Sequence, residues 1–440
     1  MTTWHGGFAT FSVFGKYEDL TVFLATGLEY ILPYTYTLCM GRHIGHLDAD
    51  CFYVSCERVR YRSLQGQAVG VLGNQGACII AKSYEMKARG VTTGMPIWDA
   101  LPLCPDGIFI KRDIEWYEVL SRRILEIVRS FSPAVEYYSI DEMFFDAQGM
   151  SPDDAKALQQ RLLNQTAVPV SVGVAASKIL AKLASSSGKP FGCVYAVEEA
   201  VVRQLLHDRP VDKITGVGRG SRLKLESYGI HTCEDFAQAD RRLIRRLLTK
   251  RGEDLWWELN GTPALPLNTT RTAHTNLSRG GSLGIATAAP ERLTGWIARN
   301  TERLVEALDH HCVYCEQLTM SLGFKDGRSA SQQTSLTATA GFQSLYLASL
   351  RLLAACWPAG RLVSYMHLIA GKLTTRQNVQ RSLFGESDPR QLASDRVKQL
   401  INQWHGRFAI RSGATLPLDD IYRDVTNSYD VCDVYGKTCF

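Results

Sequence analysis

Two strand-like runs carry acids where a strand favours apolar side chains, "HLDADCFY" from His46 and "YSIDEMF" from Tyr138. In the second, Asp141 and Glu142 are adjacent. Neighbouring residues of a flat strand point to opposite faces, so this pair cannot share one ligand from mid-strand. Two acids in low-polarity surroundings also repel unless a cation neutralises them. The pair therefore calls for solvent or a metal, and for a hairpin tip. In the first run, Asp48 and Asp50 are one residue apart and share a strand face. Asp48 and Asp141 are 93 positions apart, so only tertiary structure can join them. If the strand at 46–52 lies beside the hairpin at 138–144, three or four carboxylates converge. Such a cluster is stable around hard divalent cations, which prefer oxygen ligands. Two Mg²⁺ ions between shared carboxylates suit in-line phosphoryl or nucleotidyl transfer. Surface acids at strand ends are the alternative reading of the same spacing.

The rest of the chain supplies a setting. Its 440 residues suggest about three domains. Strands interleaved with helices give an α/β core from Gly41 to about residue 205. "DIEWYEVLSRRILEIVRSF" places Tyr117, Leu120, Ile124, Ile127 and Phe131 at helical spacing. Residues 206–262 read as a small helical unit in which "DRRLIRRLLTKRG" alternates paired arginines with paired aliphatics, giving one basic and one apolar face. A linker follows at 263–275. Residues 276–375 then read β-α-β-β-α-β, the split βαβ arrangement. The remainder, 376–440, is a polar tail with a helix candidate at "ASDRVKQLINQW".

A net charge of +5 fits a polyanionic partner only if the basic residues cluster. The 12 cysteines are scattered, which favours reduced thiols and a cytoplasmic protein. No run approaches the roughly 18 apolar residues that would span a bilayer, so no membrane partner is expected. Residues 1–40 lack the basic start and short apolar core of a signal peptide. Met40 stands just before the first strong strand, and the natural start is expected there; a packed N-terminal extension is the alternative. "HHCVYC" at His310 to Cys315 lacks a second half at zinc spacing unless Cys432 and Cys439 supply it, and buried thiols are the expected reading.

Five motifs, "LDADCFYVSCE", "AKSYEMKARGV", "YSIDE", "VGVAASKILAKLAS" and "ITGVG", occur in the order found in Y-family translesion DNA polymerases. The chain resembles that family over about residues 43 to 375. Within it, "VLGNQGACIIAKSYEMKARGV" is most similar to the catalytic subunit of bacterial DNA polymerase V. The resemblance implies a multi-domain α/β (α+β) right-hand polymerase with a palm at 41–205, short fingers inserted at about 58–112, a helix-hairpin-helix thumb at 206–262 and a βαββαβ little finger at 276–375. It implies low-fidelity synthesis past damaged bases, with primer-template DNA and dNTP as partners. Asp48, Asp141 and Glu142 would be catalytic and, with the Ala49 carbonyl, would hold two Mg²⁺ ions, for which Mn²⁺ can substitute. Asp50 would support them. Tyr53 would be the aromatic gate against a ribose 2′-hydroxyl, with core packing as its bland alternative. Tyr84, Lys87 and Lys178 would hold the triphosphate. Gly216, Gly218, Arg219 and Arg222 of the helix-hairpin-helix would track the DNA backbone, where amide groups and a helix N-terminus favour an anion. "QRSLF" resembles the peptide that docks on the bacterial sliding clamp, through Gln380, Leu383 and Phe384. The polymerase V likeness also implies accessory subunits and a recombinase filament. The rival reading is a non-catalytic or accessory-dependent family member acting as a clamp-bound, DNA-binding scaffold.

Overall fold

The computed structural model describes residues 43–73, 78–270, 273–376, 389–405 and 409–418. The N-terminal segment up to Met40, the peptide Gln380–Phe384 and the thiols of Cys432 and Cys439 lie outside the described residues.

Strand β1 (Ile44–Ala49) is buried at every residue, His46 and Asp48 included. It sits at the centre of a five-stranded sheet with β5 (Val135–Tyr137), β6 (Glu142–Asp146), β7 (Val170–Ala175) and β8 (Cys193–Ala196), in the order β5-β6-β1-β7-β8. β1 is antiparallel to both neighbours, and its register sets Asp48 opposite Glu142. Alternation then sorts its side chains. Leu47 and Ala49 join the core with helices α4 (Ile114–Phe131) and α5 (Pro152–Thr166). Ile44 instead joins helix α6 (Lys178–Ser187), and His46 bonds Ser185 of that helix at 2.7 Å. Asp48, two residues on from His46, belongs to the α6 side.

Between β1 and α4 the chain builds a separate small sheet, β3-β2-β4, from β2 (Val69–Leu72), β3 (Ile79–Lys82) and β4 (Ile108–Lys111). Helix α1 (Phe52–Arg60) leads into it; α2 (Tyr84–Ala88), capped by Ser83, and α3 (Ile97–Ala100) lie within it. Helix α7 (Glu199–Leu206) follows β8 and leads to the helical unit of α8 (Arg219–Glu226), α9 (Cys233–Gln238) and α10 (Arg241–Leu259). α10 breaks at Thr249, whose φ is +65°. Before that break the expected basic face is present: Arg241, Arg242, Arg245 and Arg246 are all exposed, Ile244 and Leu247 are buried, and Arg245 pairs with Glu253 at 2.9 Å.

The last unit follows the expected β-α-β-β-α-β order: β9 (Leu277–Thr287), α11 (Pro290–His310), β10 (Val313–Phe324), β11 (Ser329–Thr339), α12 (Phe342–Cys356) and β12 (Val363–Thr375). Its antiparallel sheet runs β11-β10-β12-β9. The tail is not merely polar: α13 (Pro389–His405) ion-pairs through Lys398 with Glu302 of α11, and the Ser412 N–H donates to the same carboxylate at 2.6 Å. Cys315 is buried on β10 as expected, whereas Cys312 is exposed at a left-handed turn.

Gly173 on β7 lets α6 approach the sheet closely. A Cβ there would lie 2.3 Å from the Ala181 carbonyl oxygen and the Ser185 nitrogen, both helix backbone. Gly173→Ala must push α6 off the sheet, at a cost of about 1–3 kcal/mol. A thermal melt followed by circular dichroism is expected to show a lower transition, while Gly149→Ala, an open turn position, serves as a strain-only comparison.

Candidate active site

The end of β1 is stitched to the hairpin tip between β5 and β6. The Ala49 N–H donates to the Asp141 carbonyl at 2.9 Å, and the N–H groups of Tyr138 and Ser139 close the turn onto the Glu142 carbonyl. Asp141 therefore sits in the turn and Glu142 begins the strand, so the two adjacent acids escape mid-strand alternation as the sequence required. Asp48, Asp141 and Glu142 come together on one edge of the sheet. Asp48 and Glu142 are cross-strand partners, and Asp141 hydrogen-bonds Ser139.

All three carboxylates are held above the usual carboxylate range. Burial is the largest cause for each, and the acids add to it by mutual repulsion, Asp141 on Asp48, Glu142 on Asp141 and Asp48 on Glu142. Two lysines oppose that rise. Lys182 of α6 approaches Glu142 at 2.6 Å, and Lys189, in the loop after α6, pairs with Asp48. Burial works against the Lys189 charge, yet Asp48 and Asp50 hold its pKa above the ordinary lysine value.

The donor set fits hard divalent ions, since it is all oxygen, partly buried and short of positive charge. Among the described residues, however, no three such side chains already converge on one point. Asp48 and Glu142 are instead turned toward ammonium groups. Ion binding here requires those two carboxylates to exchange a lysine for the metal.

Asp50 is not free on the strand face, because β1 ends at Ala49 and Cys51 adopts a left-handed conformation. Its carboxylate accepts from Ser171 Oγ at 3.0 Å, from the Phe191 N–H at 2.7 Å and from the Tyr84 hydroxyl at 3.3 Å. It thereby ties α2 of the small sheet to the acid site. Lys87, one turn on, places its ammonium 6.0 Å from the centre of the Tyr84 ring. Tyr53 is half-buried and stacks on Tyr117 at 4.6 Å, so its ring is fixed beside the site by packing.

One expected residue is elsewhere. Lys178 is buried in an ion pair with Glu136 at 2.7 Å and also donates to the Pro266 carbonyl. Burial and that carboxylate occupy it structurally, so it does not join Tyr84 and Lys87. The cation that does stand beside Tyr84's partner Asp50 is Lys189, 4.0 Å from it. Lys189 and Lys182 were missed by the sequence reading; both lie in the "KILAKLASSSGKP" stretch that carries Lys178. Gly216, with φ +105°, and Gly218 form the turn before α8, and nothing crowds Gly218. Arg219 is exposed, whereas Arg222 already pairs with Glu226 at 2.9 Å.

Residues 47–186 match the impB/mucB/samB family and residues 274–383 match that family's C-terminal domain. DNA polymerase IV 1 of Bacillus subtilis (strain 168) is 31% identical over 305 residues, spanning 67% of this chain and 73% of that protein. DNA polymerase IV of Bacillus velezensis is 27% identical over 393 residues, 86% of this chain and 94% of that protein. Among solved structures, a Y-family DNA polymerase chimera of Dbh and Dpo4 shares the fold with a TM-score of 0.65 at 20% identity, covering 76% of this chain and 100% of that one. The chain belongs to the impB/mucB/samB family, the Y-family translesion DNA polymerases. Its right-hand polymerase fold is the one the motifs implied. The relatives named here are DNA polymerase IV proteins, and none is a polymerase V subunit.

Asp141→Asn removes a buried, repelled charge. In EDTA at neutral pH its melting temperature is expected to exceed that of the wild type by roughly 1–3 °C. The sign follows from the raised carboxyl: its penalty is absent below the unfolded-state pKa, grows as pH rises from there to the folded value and is constant above it, so the gap is larger at neutral pH than in acid. Added Mn²⁺ should stabilise the wild type and not the variant. Equal melting temperatures at all pH values would contradict the charge-crowding account.

Proposed function

We propose that the chain performs template-directed, low-fidelity DNA synthesis past damaged bases, by two-metal transfer of a nucleotide from dNTP to a primer 3′-hydroxyl. The observation that carries the reading is the β1–hairpin junction, which gathers Asp48, Ala49, Asp141 and Glu142 on one sheet edge in a Y-family chain. In this reading the five-stranded sheet is the palm within 41–205. The small sheet at about 58–112 is the fingers, 206–262 the thumb, 263–275 the linker and 276–375 the little finger.

Asp48, Asp141 and Glu142, with the Ala49 carbonyl, would hold two Mg²⁺ ions, or Mn²⁺ in their place. When bound, the ions supply a more acidic primer hydroxyl and charge neutralisation on the leaving pyrophosphate. Tyr84 and Lys87, with Lys189 in place of Lys178, would orient the triphosphate; each lysine is a point charge rather than a two-pronged fork. Asp50 holds Tyr84 in position, so the small sheet and the acids stay in register. Tyr53, braced by Tyr117, would press against the sugar and exclude a 2′-hydroxyl. The turn at Gly216 and Gly218, with exposed Arg219, would contact phosphates without reading sequence, and Arg222 would have to leave Glu226 to join them. Gln380, Leu383 and Phe384 are proposed as the sliding-clamp peptide on their sequence alone.

Accessory subunits and a recombinase filament remain proposals resting on the polymerase V likeness, which the polymerase IV names above do not favour. Retention of all three acids weighs against a non-catalytic scaffold. The nine cysteines among the described residues are all unpaired, which supports a reducing, cytoplasmic setting.

Primer extension with Mg²⁺ on undamaged and abasic templates tests the reading. Extension by the wild type and its loss in Asp141→Ala are expected, by about 10³-fold or more. A folded, DNA-binding wild type that extends neither template would overturn stand-alone synthesis. Tyr53→Ala is expected to raise ribonucleotide incorporation relative to deoxyribonucleotide by about tenfold or more, equivalent to ~1.4 kcal/mol of lost discrimination. An unchanged ratio would assign Tyr53 to packing.

A further inference from the structure

Lys182 has no part in nucleotide binding as described above, yet it faces the site directly. Its ammonium lies 2.6 Å from Glu142 and 4.8 Å from the centre of the Tyr138 ring. That ring face gives the cation a second resting surface. On the far side of Lys182, the β5–β6 hairpin, α6 and α10 enclose a cleft of about 160 Å³ bordered by Lys178, Thr215, Arg251 and Leu265. Arg251 comes within 3.6 Å of where a Cβ on Gly216 would sit, so the turn carrying Gly216 and Gly218 borders the same cleft.

Lys182 therefore stands between an acid that a divalent ion would claim and a cleft whose other charged groups include Lys178 and Arg251. Lys178 is neutralised by Glu136, and Asp254, also at the cleft, by Lys250 at 2.6 Å. Arg251 is left as a cation at the cleft, and Lys182 would join it once an ion claimed Glu142. Such a cleft suits an anion, and the adjoining backbone turn suits a phosphate.

We propose that Lys182 is a displaceable counter-ion, which neutralises Glu142 while no divalent ion is present and passes to a primer-strand phosphodiester in the adjoining cleft when an ion takes its place. This rests on the two-metal reading. It makes Lys182 a positioning residue that links ion entry to primer binding. By thermodynamic reciprocity, primer-template must tighten ion binding by the same factor that the ion tightens primer-template.

The test is Mn²⁺ titration of the full chain, read from the electron paramagnetic resonance of free Mn²⁺. It is made alone, with primer-template, and with dNTP, and each DNA titration is corrected for DNA without protein. In the wild type, primer-template is expected to tighten Mn²⁺ binding roughly fivefold or more. Lys182→Met should bind Mn²⁺ several-fold tighter than the wild type without DNA and lose the gain on adding DNA. Lys182→Arg should restore the coupling. The proposal is overturned if wild-type Mn²⁺ binding ignores DNA, or if dNTP alone produces the whole gain. It is equally overturned if Lys182→Met keeps the coupling or binds Mn²⁺ no tighter alone. If Lys182→Met fails to fold, Lys182→Gln takes its place with the same two expectations, and the wild-type arms can still overturn the proposal. Mn²⁺ binding that persists unchanged in Asp141→Asn would instead sink the two-metal reading itself.

Discussion

Charge balance at one end of the central sheet governs this molecule. Three partly buried carboxylates cannot coexist there without cations, and the chain supplies them from one helix and the loop behind it. Lys178 and Lys182 are four residues apart on α6 and so project from the same face. They meet Glu136 on β5 and Glu142 on β6, adjacent strands of the hairpin. Gly173 makes this possible by letting α6 lie against the sheet without an intervening side chain. The two ion pairs differ in consequence. The Lys178–Glu136 pair is almost fully enclosed and also accepts the Asn268 N–H, so it fixes the linker to the sheet. The Lys182–Glu142 pair is more open and adjoins the acid cluster.

The acid cluster was legible in the sequence because strand geometry left few alternatives. Adjacent acids at Asp141 and Glu142 required a turn, and the apolar run around Asp48 required a buried strand, so pairing the two was the economical fold. The split β-α-β-β-α-β unit was equally legible, since long antiparallel strands and amphipathic helices declare themselves by period. The cations were not legible in the same way. A lysine ammonium sits at the end of a flexible stem, and three lysines within "KILAKLASSSGKP" could each have reached the site. Only the backbone path after Gly188, which returns the Phe191 N–H to Asp50, selects Lys189. The basic and apolar faces of α10 were legible: Arg241, Arg242, Arg245 and Arg246 are all exposed, while Ile244 and Leu247 are buried. The break at Thr249 was not, since periodicity assumes a continuous helix and nothing in "LLTKRG" announced the interruption.

The joint between the sheet and the helical unit depends on another buried acid. Glu258, near the end of α10, is fully enclosed and accepts the Ile179 N–H at 3.0 Å, at the first turn of α6. Its other oxygen takes the Ala264 and Leu265 N–H groups at 2.7 and 2.8 Å. The Ser177 hydroxyl donates to the Glu258 carbonyl, so side chain and backbone are both engaged. A carboxylate at a helix N-terminus satisfies donors that have no partner within the helix and interacts favourably with its dipole. The same helix thus receives an acid at its start and presents lysines to acids along its length. The second half of α10, which carries Arg251 toward the Gly216 turn, also carries Glu258, one residue before its end. The spacing between the Gly216 turn and the acid cluster is therefore set through α6, by hydrogen bonds rather than by apolar packing alone. Hydrogen bonds fix direction as well as distance, which apolar contact does not. In the function proposed for this chain that distinction matters, because the turn would have to hold a phosphodiester backbone at one reach from a reacting hydroxyl while reading none of its sequence.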